Sequence, residues 1–254
     1  MKFNQNLGTA PYRMIIDTET IGLNKPFVYD IGGVIVDKEG CEIDRFSYCI
    51  EQIWHNKLLF STAYYAEKRP IYVRALRGKT MKLVKFGIAM RNIEKLMITY
   101  DITKVYAFNS DFDKGAIDFT CKNLYATPCF NPFVEWRDIR KIVAPIFTSP
   151  AYTKFCIENN LLTDTGRVGS SVETIKSFKL QEKYTENHTA LEDSRDESDI
   201  LFTYGIDYYK GENEPESVFL LPTKPRELII RQNGKDTKFT YMSKTERKGI
   251  TYLK

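Results

Sequence analysis

The sequence lacks several signals that would identify a protein class at once. Its five cysteines are odd in number and include no C-x-x-C pair, so neither a disulfide framework nor a zinc site is indicated. No apolar run approaches the roughly 18 residues of a membrane span, and the N-terminus has no apolar core of the kind found in signal peptides. We therefore expect a cytoplasmic protein with reduced cysteines and no membrane partner.

A strong excess of either charge is also lacking. The 254 residues include 37 Lys and Arg against 33 Asp and Glu, and the formal net charge of +4 is too small to indicate a polyanionic partner by itself. With 43% hydrophobic and 28% charged residues, the composition is that of an ordinary globular protein. A chain of this length predicts one main domain with an appendage.

The appendage is expected where the sequence pattern changes. We predict a main domain over residues 1–210 and a small basic C-terminal extension over residues 211–254, in which polar residues and prolines interrupt the apolar pattern. Asn233 and Gly234 predict the turn of a β-hairpin there. The cations of this extension indicate either a nucleic-acid-binding arm or a solvated appendage.

The order of apolar patterns predicts an α/β fold. Strand patterns near residues 14–19, 28–36 and 42–48 predict a β-meander, and Gly32-Gly33 inside the second strand predicts a bulge or the close approach of another element. An amphipathic helix is predicted by a stripe of apolar residues at spacings of three and four: Leu83, Phe86, Met90, Ile93 and Met97. Further strands and helices then alternate, which predicts a mixed sheet flanked by helices.

Two acidic residues end the first apolar strand. Asp17 and Glu19 are separated by one residue, and side chains two residues apart on a strand point to the same face. Two carboxylates that project together from a buried strand repel each other and lose hydration, which is tolerable when a cation binds them. A divalent metal ion is the natural candidate, although acidic residues also end many strands that bind nothing.

A third acidic residue follows a later strand. Asp113 lies in the first turn of a helix predicted after the strand at residues 104–108, and Asn109 lies at the exit of that strand. Taken alone, an acid at this position is explained by its favourable interaction with the helix dipole. Together with Asp17 and Glu19, it becomes a candidate metal ligand.

His188 and Asp193 form the last candidate pair. Residues five apart on one helix are separated by about 140°, so the two side chains converge only if His188 lies in the loop or first turn where the helix begins. Asn187 is a candidate cap there. A near-neutral imidazole is suited to accept a proton from water, and the alternative is an exposed histidine at the start of a helix.

A few other residues have plainer interpretations. Trp54 and Tyr72 could stack on nucleic-acid bases, but core packing is the favoured interpretation of both aromatic side chains. His55 has no acidic or thiol companion at the spacing of metal ligands, which leaves a structural role or a substrate contact. Neither observation by itself indicates a function.

In this order, the three motifs resemble those of the DEDDh, or DnaQ-like, 3′-to-5′ exonucleases, which include the proofreading subunits of bacterial replicative polymerases. The motifs are Asp17-Thr18-Glu19, Asn109 with Asp113, and His188 with Asp193, and the resemblance covers about residues 12–207. The compact phage-encoded exonucleases of the family look more similar than the full replicase subunit. Ile21 departs from the family's common second threonine, which we expect to affect substrate fit.

The resemblance implies a fold and a cofactor. The fold would be ribonuclease-H-like, with a five-stranded mixed sheet flanked by helices. The cofactor would be two Mg²⁺ or Mn²⁺ ions, with Asp17 bridging both ions, Glu19 and Asp193 completing one site, and Asp113 helping to hold the other. Oxygen ligands of this kind suit these two metals.

The resemblance also implies an activity, namely hydrolysis of DNA from its 3′ end to nucleoside 5′-monophosphates during replication or repair. His188 would be the general base, and Thr20, Leu23 and Asn109 would position the terminal nucleotide. An exoribonuclease with the same residues remains an alternative, because the motifs contact phosphate and not the sugar. The other alternative is a non-catalytic nucleic-acid-binding or replisome-adaptor protein. A polymerase or replisome partner is implied, and the host cytoplasm is the expected location if the chain is viral.

Overall fold

A computed structural model describes most of the chain as two compact units. The first unit comprises Met1–Ile142 and Thr185–Glu212, and the second comprises Val143–Tyr184 and Asn213–Lys254. Residues described in full are 12–24, 26–63, 66–124, 134–163 and 166–205, and the backbone alone is described for 217–220, 226–232, 235–241 and 250–253. The predicted boundary between residues 210 and 211 lies outside the described residues and stays a prediction.

A mixed sheet of six strands forms the first unit's centre, in the order β4-β3-β2-β1-β5-β6. The strands are β1 (Arg13–Thr20), β2 (Val28–Val36), β3 (Glu42–Ile50), β4 (Lys82–Val84), β5 (Lys104–Ala107) and β6 (Glu135–Asp138). β1, β2 and β3 are antiparallel neighbours, whereas β4, β5 and β6 each pair in parallel. The predicted α/β class and mixed sheet are confirmed, with six strands where five were predicted. The additional strand, β4, is too short to give a distinct apolar pattern.

The core lies around the two central strands. Every residue of β2 is buried, so both faces of this strand are covered, whereas the first half of β3 is largely exposed. Apolar residues on both faces of a strand are typical of a sheet packed between layers. β2, the neighbour of the strand that carries Asp17 and Glu19, is therefore the most enclosed strand of the sheet.

The described residues of the two units contain nine α-helices. They are α1 (Glu51–Trp54), α2 (Lys57–Phe60), α3 (Arg69–Arg77), α4 (Phe86–Thr99), α5 (Ser110–Asn123), α6 (Ile139–Ile142), α7 (Pro150–Glu158), α8 (Val172–Leu180) and α9 (Ala190–Ile200). The predicted apolar stripe is confirmed in α4, which buries Phe86, Met90, Ile93 and Met97. Leu83 is the exception, since it lies in β4 and not in the helix. No helix of the described residues is long and apolar enough to cross a membrane.

The predicted close approach at the glycine pair is confirmed. A Cβ atom added to Gly32 would lie 2.2 Å from the backbone nitrogen of Leu191 and 2.5 Å from the carbonyl carbon of Ala190. These are backbone atoms of the first turn of α9, so no flexible side chain can move aside. Only glycine at this position lets α9 pack directly on β2.

The second unit contains α7, α8 and four C-terminal strands. These strands are β7 (Ser217–Leu220), β8 (Arg226–Gln232), β9 (Lys235–Tyr241) and β10 (Ile250–Leu253). β8 and β9 pair antiparallel with Gln232 opposite Lys235, and β7 pairs in parallel with β10. Asn233 and Gly234, the predicted turn, lie outside the described residues, as do the side chains of the basic extension.

Candidate active site

Asp17 and Glu19 project from β1, as their spacing predicts. Glu19 is only 8% exposed, and Asp17 is half-buried. Burial raises the pKa of Glu19 to about 9, and the carboxylates of Asp193 and Asp30 add to the effect. Burial also raises the pKa of Asp17 well above its usual range, with Asp113 as the strongest charged contributor. Both carboxyl groups therefore resist ionisation unless a cation is near.

Asp113 lies in the first turn of α5 and is bonded to the strand that carries the first two acids. The backbone nitrogen of Thr18 donates to Asp113 Oδ1 at 3.0 Å, and the Thr18 hydroxyl donates to the same oxygen at 2.7 Å. Burial raises the pKa of Asp113 to about 7, while the bonds from Thr18 oppose that rise. The acid therefore does more than favour the helix dipole, because it fixes α5 to β1.

Asn109 shapes the start of α5. It is the N-cap residue and has a left-handed backbone with φ of 68°, a conformation that asparagine adopts more readily than most residues. Its backbone nitrogen donates to Oδ1 of Asp138 at 3.0 Å. The sharp turn between β5 and α5 is thereby fixed, and it places Asp113 beside β1.

His188 lies in the loop just before α9, which is the placement that its predicted role requires. Its backbone is left-handed, with φ of 52°, and Thr189 is the N-cap residue of the helix. The prediction of Asn187 as the cap is wrong, because the first helical nitrogen, that of Ala190, donates across to Asp30 Oδ2 at 3.0 Å. A distant side chain on β2 therefore does the work of a local cap.

The loop and the helix bring His188 and Asp193 together with Glu19. One potential ligand atom from each of the three side chains lies within 4.8 Å of the other two. Asp193 Oδ1 is buried and has no hydrogen-bond partner among the residues that the structure describes, and burial raises the pKa of this carboxyl group to about 9. An unpartnered buried carboxylate oxygen next to other acids fits a divalent cation bound by oxygen ligands.

Asp30 is a part of the site that sequence reasoning missed. It lies opposite Glu19 in the β1–β2 register and is fully buried. The Tyr72 hydroxyl lies 3.1 Å from Asp30 Oδ2 and 3.2 Å from the His188 carbonyl oxygen. Burial raises the pKa of Asp30 to about 7, whereas hydrogen bonds from Ala190 and Tyr72 oppose that rise. Asp30 and Tyr72 thus connect β2, α3 and the loop that carries His188.

Two further acids were also missed. Glu197 lies one helical turn after Asp193 on α9, and its Oε2 atom is buried without a hydrogen-bond partner in the described part of the chain. Its pKa is raised well above the usual range by burial, then by Asp17 and Asp113. Glu186 Oε2 lies 3.9 Å from His188 Nδ1. The site therefore contains more acidic side chains than the four predicted metal ligands.

The other predicted residues differ in exposure. Thr20 is buried at the end of β1, whereas Leu23 is 82% exposed just beyond it. Trp54 and Tyr72 are buried, as the core-packing interpretation predicts. His55 is exposed at the end of α1. Leu23 is thus the apolar side chain next to β1 that solvent reaches most easily.

Sequence comparison identifies no relative, since no protein-family model and no curated protein matches the chain. Structural comparison does find similar folds. A structure of exonuclease I that addresses its processivity matches 78% of this chain and 42% of that chain, with a TM-score of 0.52 and 12% identity. Product-bound exonuclease I matches 78% of this chain and 44% of that chain, with a TM-score of 0.51 and 11% identity.

These matches extend over part of the larger proteins only. The chain spans less than half the length of the exonuclease I chains, so the similarity concerns one region of them. At 11% and 12% identity, the similarity is one of architecture. The predicted resemblance is confirmed at that level: this chain has the predicted ribonuclease-H-like architecture, similar to that of one region of exonuclease I.

Proposed function

We propose that the protein is a metal-dependent 3′-to-5′ exonuclease that hydrolyses DNA to nucleoside 5′-monophosphates. The observation that carries the proposal is the convergence of Glu19, His188 and Asp193 within 4.8 Å, on a fold similar to that of exonuclease I. The charge of Asp17 raises the pKa of Asp193 in this cluster, and the charge of Asp113 raises the pKa of Asp17 in turn. A set of unneutralised acids with one imidazole suits phosphodiester hydrolysis.

The metal ligands would be Asp17, Glu19, Asp113 and Asp193. The unpartnered Asp193 Oδ1 and the raised pKa values of all four carboxyl groups support this assignment, because a bound cation would remove the cost of their ionisation. Two Mg²⁺ or Mn²⁺ ions, when bound, would stabilise the attacking and leaving oxygens of an in-line displacement. The four acids would hold these ions, and the positive charge of the ions would bind the substrate phosphate at the end of β1.

His188 would accept the proton of the attacking water. Its ring is partly buried and lies beside Glu186, whose carboxylate would stabilise the imidazolium that forms. The Tyr72 hydroxyl lies within hydrogen-bond distance of the His188 carbonyl, and Lys68 Nζ donates to the Asn187 carbonyl at 3.2 Å. These contacts hold the loop, so the imidazole is already placed when substrate arrives.

Substrate positioning would fall to residues at the strand ends. Thr20, Leu23 and Asn109 lie at the ends of β1 and β5, and the exposed Leu23 side chain would pack against the terminal base. None of these contacts distinguishes deoxyribose from ribose, so RNA remains the alternative substrate. The non-catalytic alternative is disfavoured because no residue of the three motifs is missing. The polymerase or replisome partner stays a prediction.

The test is digestion of 5′-labelled single-stranded DNA, duplex DNA and RNA with Mg²⁺, Mn²⁺ or EDTA. We expect the labelled DNA to shorten one nucleotide at a time, with nucleoside 5′-monophosphates as products and no cleavage in EDTA. Immediate release of a labelled mononucleotide would indicate the opposite direction. Internal cuts, or no cleavage of any substrate with either metal, would overturn the proposal.

A further inference from the structure

One stretch of the first unit concentrates positive charge. Residues 69–85, which comprise α3, the turn after it and β4, contain six cations and no acid: Arg69, Arg74, Arg77, Lys79, Lys82 and Lys85. These six charges exceed the formal net charge of the whole chain, which is +4. We term residues 69–85 the basic segment.

Most of the cations in the basic segment are exposed and unpaired. All except the partly buried Arg69 are solvent-exposed. Among the residues that the structure describes, these five exposed cations form no ion pair. Like charges at close spacing repel one another and create a positive potential, which an anionic partner would neutralise.

The helix in this segment borders an open groove. The groove has a volume of about 780 Å³ and is lined by Arg69, Pro70, Val73, Arg74, Arg77 and Gly78. Its lining therefore contains three of the six cations of the basic segment. Arg74 and Arg77 are three residues apart and lie on one face of the helix, and Arg69 at the start of α3 also lines the groove. The guanidinium fork of arginine suits the oxygens of a phosphate. The Arg69 guanidinium is held 4.2 Å above the Trp54 ring.

The basic segment begins next to the candidate active site. Lys68, which immediately precedes α3, donates to the carbonyl of Asn187, and Tyr72 in the second turn contacts Asp30. The charge of Lys68 also lowers the pKa of Glu19, against the larger effect of burial. A polyanion whose end occupies the acidic site would therefore pass the start of α3.

We infer that the basic segment binds the phosphates of a single nucleic-acid strand upstream of the terminal nucleotide. The choice of strand end rests on the proposed function, whereas binding itself does not require catalysis. The nine residues of α3 extend about 13 Å, which matches roughly two to four phosphates of one strand. The recognised chemistry is a chain of phosphates, in DNA or in RNA.

The experiment compares two triple variants of the full chain. Arg74→Gln/Arg77→Gln/Lys79→Gln removes three cations of the basic segment. The matched control removes three exposed cations of α4 and α5 in the same unit: Arg91→Gln/Lys95→Gln/Lys122→Gln. Affinity for fluorescent oligothymidylate and oligouridylate is measured by anisotropy in EDTA at several salt concentrations.

The expected result is a difference in salt dependence. Each phosphate contact on a single strand contributes about 0.7 to the slope of log affinity against log salt, so three contacts contribute about 2. Between about 50 and 200 mM salt, the wild type and the control should therefore lose about twentyfold more affinity than the basic-segment variant. The same difference with both oligonucleotides supports recognition of phosphate.

Equal slopes in the wild type and the basic-segment variant would overturn the inference, as would an equal drop in the control. Hydrolysis of a thymidine dinucleotide, which is too short to reach the groove, should be the same in all three proteins. A loss of dinucleotide hydrolysis in the basic-segment variant would show that the substitutions damage the acidic site, and it would also overturn the inference. If the wild type binds with the expected slope but cleaves nothing with either metal, the inference stands and the proposed function fails.

Discussion

The acidic site and the basic segment treat charge in opposite ways. In the site, carboxylates are buried close together, so that burial and mutual repulsion raise their pKa values. In the basic segment, positively charged side chains are exposed to water, where their mutual repulsion is screened and costs little free energy. The first arrangement favours either protonation of the acids or a bound cation, and the second favours an anionic partner without requiring one. Substitutions should therefore affect chemistry in the site and affinity in the segment.

The largest effect should come from removing one charge of the site. Asp113→Asn keeps an oxygen that can accept the bonds from Thr18, so the fold should persist, but the rate of single-turnover DNA hydrolysis at saturating Mg²⁺ should fall by orders of magnitude. The control is Asp111→Asn, an exposed acid in the same helical turn, which should retain the wild-type rate. Near-normal turnover in Asp113→Asn would contradict the contrast between the two regions.

The next largest effect should come from His188. His188→Gln can still donate and accept hydrogen bonds but cannot take up a proton, so cleavage should slow by about a hundredfold or more. The rising limb that a general base gives to the wild-type pH–rate profile should disappear. His55→Gln replaces the chain's other histidine, which is exposed, and should keep both rate and limb. An unchanged limb in His188→Gln would assign the proton transfer elsewhere.

The stability of the folded protein should depend on pH and on metal because of the acidic site. Glu19 and Asp193 have pKa values of about 9 in the metal-free folded protein, against about 4 in an unfolded chain, so the folded state binds more protons between these limits. The melting temperature in EDTA should therefore fall by several degrees between about pH 5 and pH 9. Saturating Mg²⁺ should oppose that fall, and Glu19→Gln should flatten the EDTA curve. A curve that rises with pH in EDTA would refute this account.

The smallest effect should come from Tyr72, a residue of the basic segment that contacts the acidic site. Tyr72→Phe removes the hydroxyl that contacts Asp30 and the His188 carbonyl, at a cost of about 1 kcal/mol in the free energy of unfolding. Turnover should fall a few-fold while oligonucleotide affinity stays constant. Tyr100→Phe removes a Tyr–Asp hydrogen bond outside the site and should leave turnover unchanged. Lower affinity in Tyr72→Phe would mean that α3 itself had moved.

Local patterns were sufficient to place the principal candidates. The alternation of a strand put Asp17 and Glu19 on one face, and the angle between residues five apart required His188 to precede α9, which is where it lies. The apolar stripe predicted α4 because the spacing of apolar residues within the helix determines which face is buried. Such features depend on neighbours in the chain and can be predicted from spacing.

The remaining parts of the site depend on contacts between distant residues. Asp30 lies opposite Glu19 through strand register, and it caps α9 from 160 positions away. Its one signal in the sequence is a charge within the apolar run of β2. Glu197 is four residues after Asp193, so the sequence places both on one face of a helix. That this face points into the site follows only from the position of α9 on the sheet. The contact between Lys68 and the loop before His188 has no counterpart in spacing.

Gly32 has a consequence for how such proteins can diverge. Its neighbour across the sheet is Asp17, and a methyl group in its place would displace the first turn of the helix that carries Asp193. A position that touches no reactant therefore limits which sequences can keep this arrangement, as strictly as the acids do. Where identity to a chain of similar fold is as low as 12%, a glycine that faces the first acid across a hairpin is a geometric feature that can be sought in other chains of this fold.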